Sequence, residues 1–141
     1  MPDTQEIIQK AGGIIDQRIR SANYCTLTTI DSDGSPVSTT ISVSKHDGIR
    51  WLTFCTGRGA PTPLRLQKNP AACFCLNGPD YHICLTGSAE VVTDLEVKRE
   101  MWYEGLENHF SGPEDENLAV LRFTARRYSL FIDWNDVKGE L

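Results

Sequence analysis

The chain has 141 residues, 40% of them hydrophobic, with a formal net charge of −5 at pH 7 and a pI near 5.1. This length supports one globular domain, and the acidic balance argues against a nucleic-acid surface, because phosphate binding depends on clustered Lys and Arg. The sequence shows neither a secretion signal nor an apolar run of membrane-spanning length, so we expect a soluble protein without membrane or nucleic-acid partners.

The cysteines favour a reducing compartment. They are odd in number and lie in apolar, strand-like runs rather than in loops, which is typical of buried free thiols. We therefore expect a cytoplasmic protein. The five positions are Cys25, Cys55, Cys73, Cys75 and Cys84.

An amphipathic helix is predicted over residues 4–20. Isoleucines recur there with a period of 3.6 residues, and Asp3 and Thr4 provide a candidate N-cap. Gly12 and Gly13 weaken this helix, each by about 1 kcal/mol relative to alanine. The helix should therefore depend on docking against the rest of the domain.

From Tyr24 onward the hydrophobic period changes to two, and β-forming residues dominate. Turns rich in Asp, Asn, Gly and Pro separate the candidate strands. Most strands follow one another directly, which indicates antiparallel pairing, and closure into a barrel removes exposed edges. The predicted strands span residues 24–30, 36–44, 49–56, 71–76, 82–92, 118–124 and 128–133.

Two further helices are predicted between the strands. The loop over residues 57–63 opens a short helix that stops before Pro70. Thr93 and Glu96 form a capping box ahead of a third helix that runs to about residue 107. The expected architecture is mainly β, with about seven strands and three helices.

Four segments stand in a recognisable order along the chain. They are Leu27-Thr28-Thr29-Ile30-Asp31-x-Asp33-Gly34-x-Pro36, Trp51-Leu52-Thr53-Phe54-Cys55-Thr56, Leu66-x-x-Asn69-Pro70 and Leu85-Thr86-Gly87-Ser88-Ala89-Glu90. This series resembles the pyridoxamine 5′-phosphate oxidase-like FMN-binding split-barrel superfamily. The tail that starts at His109-Phe110-Ser111-Gly112-Pro113 is similar to its general stress protein 26-like branch, and the resemblance covers essentially the whole chain.

The resemblance implies a six-stranded antiparallel split β-barrel with flanking helices. It implies one domain over residues 1–141, with the N-terminal helix at 4–20 and the barrel at about 23–133. It also implies a homodimer that holds FMN in two interface grooves, with the flavin edge facing a small-molecule substrate. In such flavoproteins the cofactor carries the redox chemistry, so no side chain has to act as acid or base.

The resemblance also implies cofactor-binding positions. Thr39, Thr40, Ile41 and Ser42 match the strand beside the flavin, and Thr56 matches the end of the next strand. His82 stands where the family often has a glutamine that reaches the flavin ring. The remaining candidates are Arg58, Thr62 and Arg65 in the phosphate loop and short helix, and Trp134, which could stack on flavin or substrate.

The phosphate-binding pattern of the oxidases is incomplete here. Where they have one Arg on the flavin strand and an Arg-Lys pair in the loop, this chain has Thr39, Pro61 and Thr62. Either Arg58 and Arg65 replace these cations, with threonine hydroxyls and backbone N–H groups, or FMN binds weakly. The C-terminal Arg-x-His segment that recognises the substrate phosphate is also absent, so oxidation of vitamin B6 is not expected.

Other interpretations remain open. The same barrel could act as a binding protein without turnover, for flavin, haem or another planar ligand, whereas a deazaflavin would need more Lys and Arg. A Cys₃His zinc site could form from Cys73, Cys75, His82 and Cys84. Cys-x-Cys is not the usual Cys-x-x-Cys knuckle and both strands look like core, so we expect buried thiols and no metal.

Overall fold

Seven strands, three α-helices and one 3₁₀ turn make up residues 3–141, the part of the chain that this computed structural model describes. The helices are α1 (Thr4–Ser21), α2 (Pro61–Lys68) and α3 (Leu95–Met101), and the 3₁₀ turn is Leu106–Asn108. The strands are β1 (Tyr24–Ile30), β2 (Pro36–Asp47), β3 (Trp51–Gly57), β4 (Ala71–Asn77), β5 (Tyr81–Val92), β6 (Leu118–Ile132) and β7 (Asn135–Glu140).

The strands form one antiparallel sheet that closes on itself. Their order is β3-β2-β1-β4-β5-β6-β7, and an additional β3–β6 pairing closes a six-stranded barrel with β7 as an extension. Apolar and polar residues alternate along the strands, so each strand turns one face to the interior. Phe54, Phe74 and Phe123 fill the interior and are almost inaccessible to solvent. The predicted mainly β split-barrel architecture is thus confirmed.

A β-bulge divides β6 into two halves that have different partner strands. The register between β5 and β6 shifts between Thr86 and Gly87, and a Cβ atom on Gly87 would overlap the carbonyl oxygen of Thr124. Only glycine permits this close approach of the two backbones. The first half of β6 therefore pairs with β3, while its second half pairs with β7.

Helix α1 begins at the predicted N-cap. The Asp3 carboxylate accepts a hydrogen bond of 2.8 Å from the Glu6 amide. The helix buries three residues against the barrel core, Ile7, Ala11 and Ile15. A Cβ on Gly12 would lie 3.2 Å from the Cα of Gly48 in the β2–β3 turn, so this glycine allows the helix to approach the turn closely. As expected, docking compensates for its low helix propensity.

The third helix is shorter than the sequence predicts. It ends at Met101, because the Trp102 backbone is extended, and its cap is Asp94 rather than Thr93. The Asp94 carboxylate accepts a 3.0 Å hydrogen bond from the Glu96 amide. The helix, the 3₁₀ turn and the outer faces of β3 and β6 share a second apolar cluster, formed by Cys55, Met101, Leu106, Leu118 and Val120.

Two predictions about the C-terminal strands are wrong. The two separate strands expected over residues 118–133 form one continuous strand, β6, which spans the bulge opposite Gly87. Strand β7 was not predicted, because its hairpin turn consists of Asp133 and Trp134 at φ 51° and 65°. Such turns usually contain Asn-Gly or Asp-Gly, and that signal is missing here. None of the helices in residues 3–141 has the length and apolar character of a membrane-spanning helix.

Candidate functional site

β2 and β3 stay together along only part of their length. Their pairing covers Val43, His46 and Asp47 of β2, and the strands diverge on the N-terminal side of Val43. Within the described chain, Pro36–Ser42 pairs with β1 alone, and the end of β3 pairs with β6. We call the opening between Pro36–Ser42 and residues 55–63 the seam. Its β2 side offers backbone N–H and C=O groups that no neighbouring strand uses.

The predicted cofactor residues of β2 lie on one side of the seam. Thr40 and Ser42 point to the outer face of the sheet, while Ile41 belongs to the core. Thr39 shares the inward face with Ile41 and is half-buried. This side of the seam therefore combines hydroxyl groups with an unpaired strand edge, which can hydrogen-bond the polar atoms of a flat ligand.

The opposite side of the seam consists of the end of β3 and the loop into α2. Thr56 is half-buried near the end of β3, and Arg58 is exposed in the loop. The Arg58 amide donates to the Asn117 carbonyl oxygen at 2.6 Å, which fixes the loop to the segment before β6. Thr56 and Arg58 thus stand at the end of β3 and in the loop that follows it, whereas Thr62 of α2 is buried.

A buried lysine, Lys98, is linked through hydrogen bonds to the loop that contains Arg58. Lys98 of α3 is only 5% exposed, and its ammonium donates to the Asp115 carbonyl oxygen at 2.7 Å. The Asp115 carboxylate accepts hydrogen bonds from the amides of Ser111 and Asn117 at 3.0 and 2.9 Å. Because Asn117 in turn accepts from Arg58, these contacts connect α3 to the seam.

The Arg65 guanidinium hydrogen-bonds two buried threonines. Its Nε donates to the Thr29 hydroxyl at 2.8 Å, and its Nη2 donates to the Thr62 hydroxyl at 3.1 Å. Both threonines are buried, at 0% and 6% exposure, so their hydroxyls depend on this guanidinium. Arg65 therefore anchors α2 to β1, a role that the sequence could not reveal.

The N-terminus of α2 is poor in anion-binding groups. Its N-cap, Ala60, makes no side-chain hydrogen bond, and Pro61 and Pro63 have no N–H group. A helix N-terminus binds phosphate mainly through such free N–H groups. Arg58 is an exposed cation at this end of the seam. The hydroxyl groups nearest to it in sequence are those of Thr56 and Thr62.

His82 and Trp134 do not lie at the seam of their own chain. His82 is on β5, three strands from β2 in the sheet, and its Nδ1 is 2.7 Å from the Asn77 side-chain oxygen. Trp134 is 90% exposed in the β6–β7 turn. Its ring meets the edge of Phe131, which pairs with His82, at a centroid distance of 5.8 Å. The two candidates thus form a separate group.

A polar cavity of about 540 Å³ adjoins the seam at Ser42. Its walls also include Asn23, Tyr103 and His109, which come from loops without periodic sequence signals. Burial raises the pKa of the Tyr103 phenol, and hydrogen bonds with Asn23 and Ser42 partly offset this effect. Tyr103 is therefore a neutral hydrogen-bonding group at physiological pH. Sequence analysis did not identify this cavity.

The zinc alternative lacks a suitable ligand set. All five cysteines are free thiols, and His82 turns its Nδ1 toward Asn77. Throughout residues 3–141, no group of three or more His, Cys, Asp or Glu side chains is arranged to hold a metal ion.

The family model for pyridoxamine 5′-phosphate oxidase matches residues 14–131. The chain belongs to the pyridoxamine 5′-phosphate oxidase family. The match spans α1 to β6 and includes both sides of the seam. Comparison with curated proteins gave no match.

Solved structures share the split-barrel fold of this pyridoxamine 5′-phosphate oxidase family member. A protein related to general stress protein 26 from Clostridium acetobutylicum has 21% identity and a TM-score of 0.82, and the similarity covers 99% of this chain and 97% of that one. An FMN-binding, pyridoxamine 5′-phosphate oxidase-related protein from Nostoc punctiforme has 15% identity and a TM-score of 0.71, over 94% and 95% of the chains. A heme-binding protein from Mycobacterium smegmatis has 15% identity and a TM-score of 0.73, over 99% and 59%.

The residues of the seam fit a flavin more completely at its ring and ribityl end than at its phosphate. The unpaired β2 edge and the hydroxyls of Thr40 and Ser42 can meet the polar edge and side chain of a flavin. The phosphate end offers Arg58 and the Thr56 hydroxyl, because the Thr62 hydroxyl is buried against Arg65 and two helix N–H groups are replaced by proline. The phosphate end therefore offers little charge to hold a dianion.

Proposed function

We propose that this protein binds FMN along the seam and acts as an oxidoreductase on a small molecule. The observation that carries the proposal is the divergence of β2 from β3, because it leaves a free strand edge beside the positions that match the family's flavin-binding residues. Family membership and the FMN-binding structural neighbour support it. When bound, FMN would supply the redox chemistry.

The chain's own residues would bind and orient the cofactor. Thr40 and Ser42, together with the β2 backbone, would hydrogen-bond the flavin, while Thr56 and Arg58 would receive its phosphate. The cavity next to Ser42 would hold the substrate, with Tyr103 as a neutral donor toward a carbonyl, quinone or nitro oxygen. The walls of this cavity would also limit the access of water to the reacting atoms.

We further propose a homodimer with composite sites. His82 and Trp134 lie away from the seam of their own chain, so they can contribute to a site only through a second copy. The exposed indole of Trp134 is suited to stack on a flat ligand. The five free thiols are typical of a reducing compartment such as the cytoplasm, which is the expected location.

The cofactor is tested by titrating FMN into the purified protein and recording the absorption from 300 to 600 nm after gel filtration. We expect retained flavin bands near one FMN per chain. Arg58→Ala should weaken FMN binding about tenfold, which corresponds to about 1.4 kcal/mol, and Arg126→Ala, an exposed arginine on β6, is the matched control. A protein that retains no flavin at micromolar concentration would contradict the proposal.

The second candidate is a non-catalytic binding protein for haem or another planar ligand. The proline-rich start of α2 and the engagement of Arg65 favour it, because both reduce the charge available to a phosphate. A solved heme-binding protein has the same fold. A Soret band after addition of hemin, with no retention of FMN, would support this candidate over the flavoprotein.

A further inference from the structure

Three thiols lie on the outer face of the β4–β5 hairpin. Cys73 and Cys75 flank the inward-facing Phe74, so their side chains share the outer face of β4. Cys84 stands directly opposite Cys75 on β5. All three side chains are half-buried, in contrast to Cys25 and Cys55, which are buried.

The neighbours of these thiols are small and polar. Cys73 and Cys75 pair with Thr28 and Thr26 of β1, and Cys84 pairs with Ser129 of β6. The residues directly paired with these cysteines in the outer neighbouring strands, β1 and β6, therefore have small side chains. Because this face lies outside the apolar interior, the thiols add little to the core, and their packing alone does not explain three cysteines at adjoining positions.

Two of the sulfur atoms are in contact. The Sγ atoms of Cys73 and Cys84 are 3.3 Å apart, on adjacent strands of one hairpin. Cys73 pairs with Thr86, so Cys73 and Cys84 are diagonal neighbours, whose Cα atoms typically lie about 7–8 Å apart. The sulfur atoms of a disulfide lie about 2.05 Å apart, so closure requires them to approach by about 1.2 Å and the two strands to shift locally. The short hairpin holds both thiols near each other, which favours an intramolecular bond over a bond between molecules.

We propose that Cys73 and Cys84 form a redox-active dithiol that reduces small disulfides and closes to an intramolecular disulfide. One cysteine, as thiolate, attacks a sulfur of the small disulfide and releases its first half as a thiolate. The second cysteine then attacks the mixed disulfide and releases the other half. Two S–H bonds and one S–S bond break, one S–S bond forms in the protein, and the two protons pass to the released thiolates.

The surroundings of the thiols determine the rate of this reaction. Burial raises the pKa of Cys84 to about 12, with a further contribution from its neighbour Cys73, so Cys84 is held as a thiol at neutral pH. Thiolates are the attacking species, so exchange should accelerate as the pH rises above 7. Cys25 and Cys55 serve as internal controls, since both are buried and a small disulfide cannot reach them as it reaches the half-buried pair.

The test is incubation of the full-length protein with oxidised glutathione, followed by alkylation in denaturant and intact-mass measurement. We expect two of the five thiols to become unreactive and the mass of the unalkylated chain to fall by about 2 Da, both reversed by dithiothreitol. Five alkylated thiols, a stable glutathione adduct or a bond between two chains would each overturn the proposal.

The pairing is tested by peptide mapping and variants. Cleavage after Phe74 and before Asp80 separates the three cysteines, so mass spectrometry of the wild-type protein identifies the bonded pair without any variant. Cys75→Ser should leave the loss of two thiols unchanged, whereas Cys73→Ser and Cys84→Ser should abolish it. A Cys75–Cys84 bond in the wild-type map would refute the assignment to Cys73.

Discussion

The Arg65 guanidinium hydrogen-bonds the Thr29 hydroxyl at 2.8 Å, across 36 positions of sequence. This contact joins α2 to β1 where β1 pairs with the start of β2, since Thr29 stands opposite Val37. The same guanidinium satisfies Thr62. The helix that follows the seam is therefore held by an ionic group whose partners are buried hydroxyls.

Replacing Arg65 should affect stability more than cofactor binding. Arg65→Ala leaves two buried hydroxyls without their donor, so the free energy of unfolding should fall by about 1–3 kcal/mol in urea denaturation. FMN affinity should change less than in Arg58→Ala. Unchanged stability combined with a large loss of FMN affinity would show instead that Arg65 binds the phosphate.

Gly87 and Gly13 should respond oppositely to alanine. A Cβ on Gly87 overlaps the Thr124 backbone, so Gly87→Ala should lower the free energy of unfolding by about 3 kcal/mol or more. No atom lies within 4 Å of a Cβ placed on Gly13 in α1, so Gly13→Ala should raise the free energy of unfolding by about 0.5–1 kcal/mol. Chemical denaturation of the two variants against wild type measures both. Equal tolerance of the two substitutions would contradict the close approach of β5 and β6.

Cys25 should make stability fall at alkaline pH. Its pKa rises from an ordinary 9.0 to about 12 in the folded protein, chiefly because it is buried. The folded state therefore keeps a proton that the unfolded state loses. The resulting stabilisation is complete below pH 9.0 and is lost between pH 9.0 and about 12, at up to about 1.4 kcal/mol per pH unit. Urea denaturation of wild type and Cys25→Ala across this range should show the steeper decline in wild type, and parallel curves would be inconsistent with this explanation.

Lys98 should control the mobility of the loop behind Arg58. Lys98→Met removes the donor to the Asp115 carbonyl oxygen, so the amides of Ser111 and Asn117 should exchange hydrogen faster. Glu100→Met, at an exposed position of the same helix, is the control. Mass spectrometry of exchanged peptides measures the effect, and equal protection in the two variants would argue against a supporting role for Lys98.

The barrel was predictable because its strands carry the alternation that an interior requires. β1 and β4 match their predicted bounds to within one residue, since each has one apolar face and ends at a strong turn signal. β7 was not predicted because its turn residues, Asp133 and Trp134, adopt positive φ angles without the Asn-Gly or Asp-Gly pair that usually marks such a turn. Local pattern therefore determines the strands except at the bulge in β6 and where a turn is built from unusual residues.

The site was only partly predictable. Buried and exposed side chains alternate along β2 whether or not β3 pairs with it. Sequence alone therefore could not reveal that β2 and β3 diverge on the N-terminal side of Val43. The family resemblance identified both sides of the seam. It could not show that Arg65 turns to Thr29, or that Tyr103 lines a cavity with Ser42, because both contacts join distant segments.

The unpaired edge of β2 also bears on solubility. A free strand edge can accept a strand from another molecule, which is a common route to aggregation. Here the edge is short, begins with Pro36, which has no N–H group, and ends at the irregularity between Val43 and His46. A ligand along this edge would occupy the groups that a foreign strand needs. We therefore expect the ligand-free protein to aggregate faster on storage than the ligand-bound protein. Ligand binding would then also prevent strand pairing between molecules.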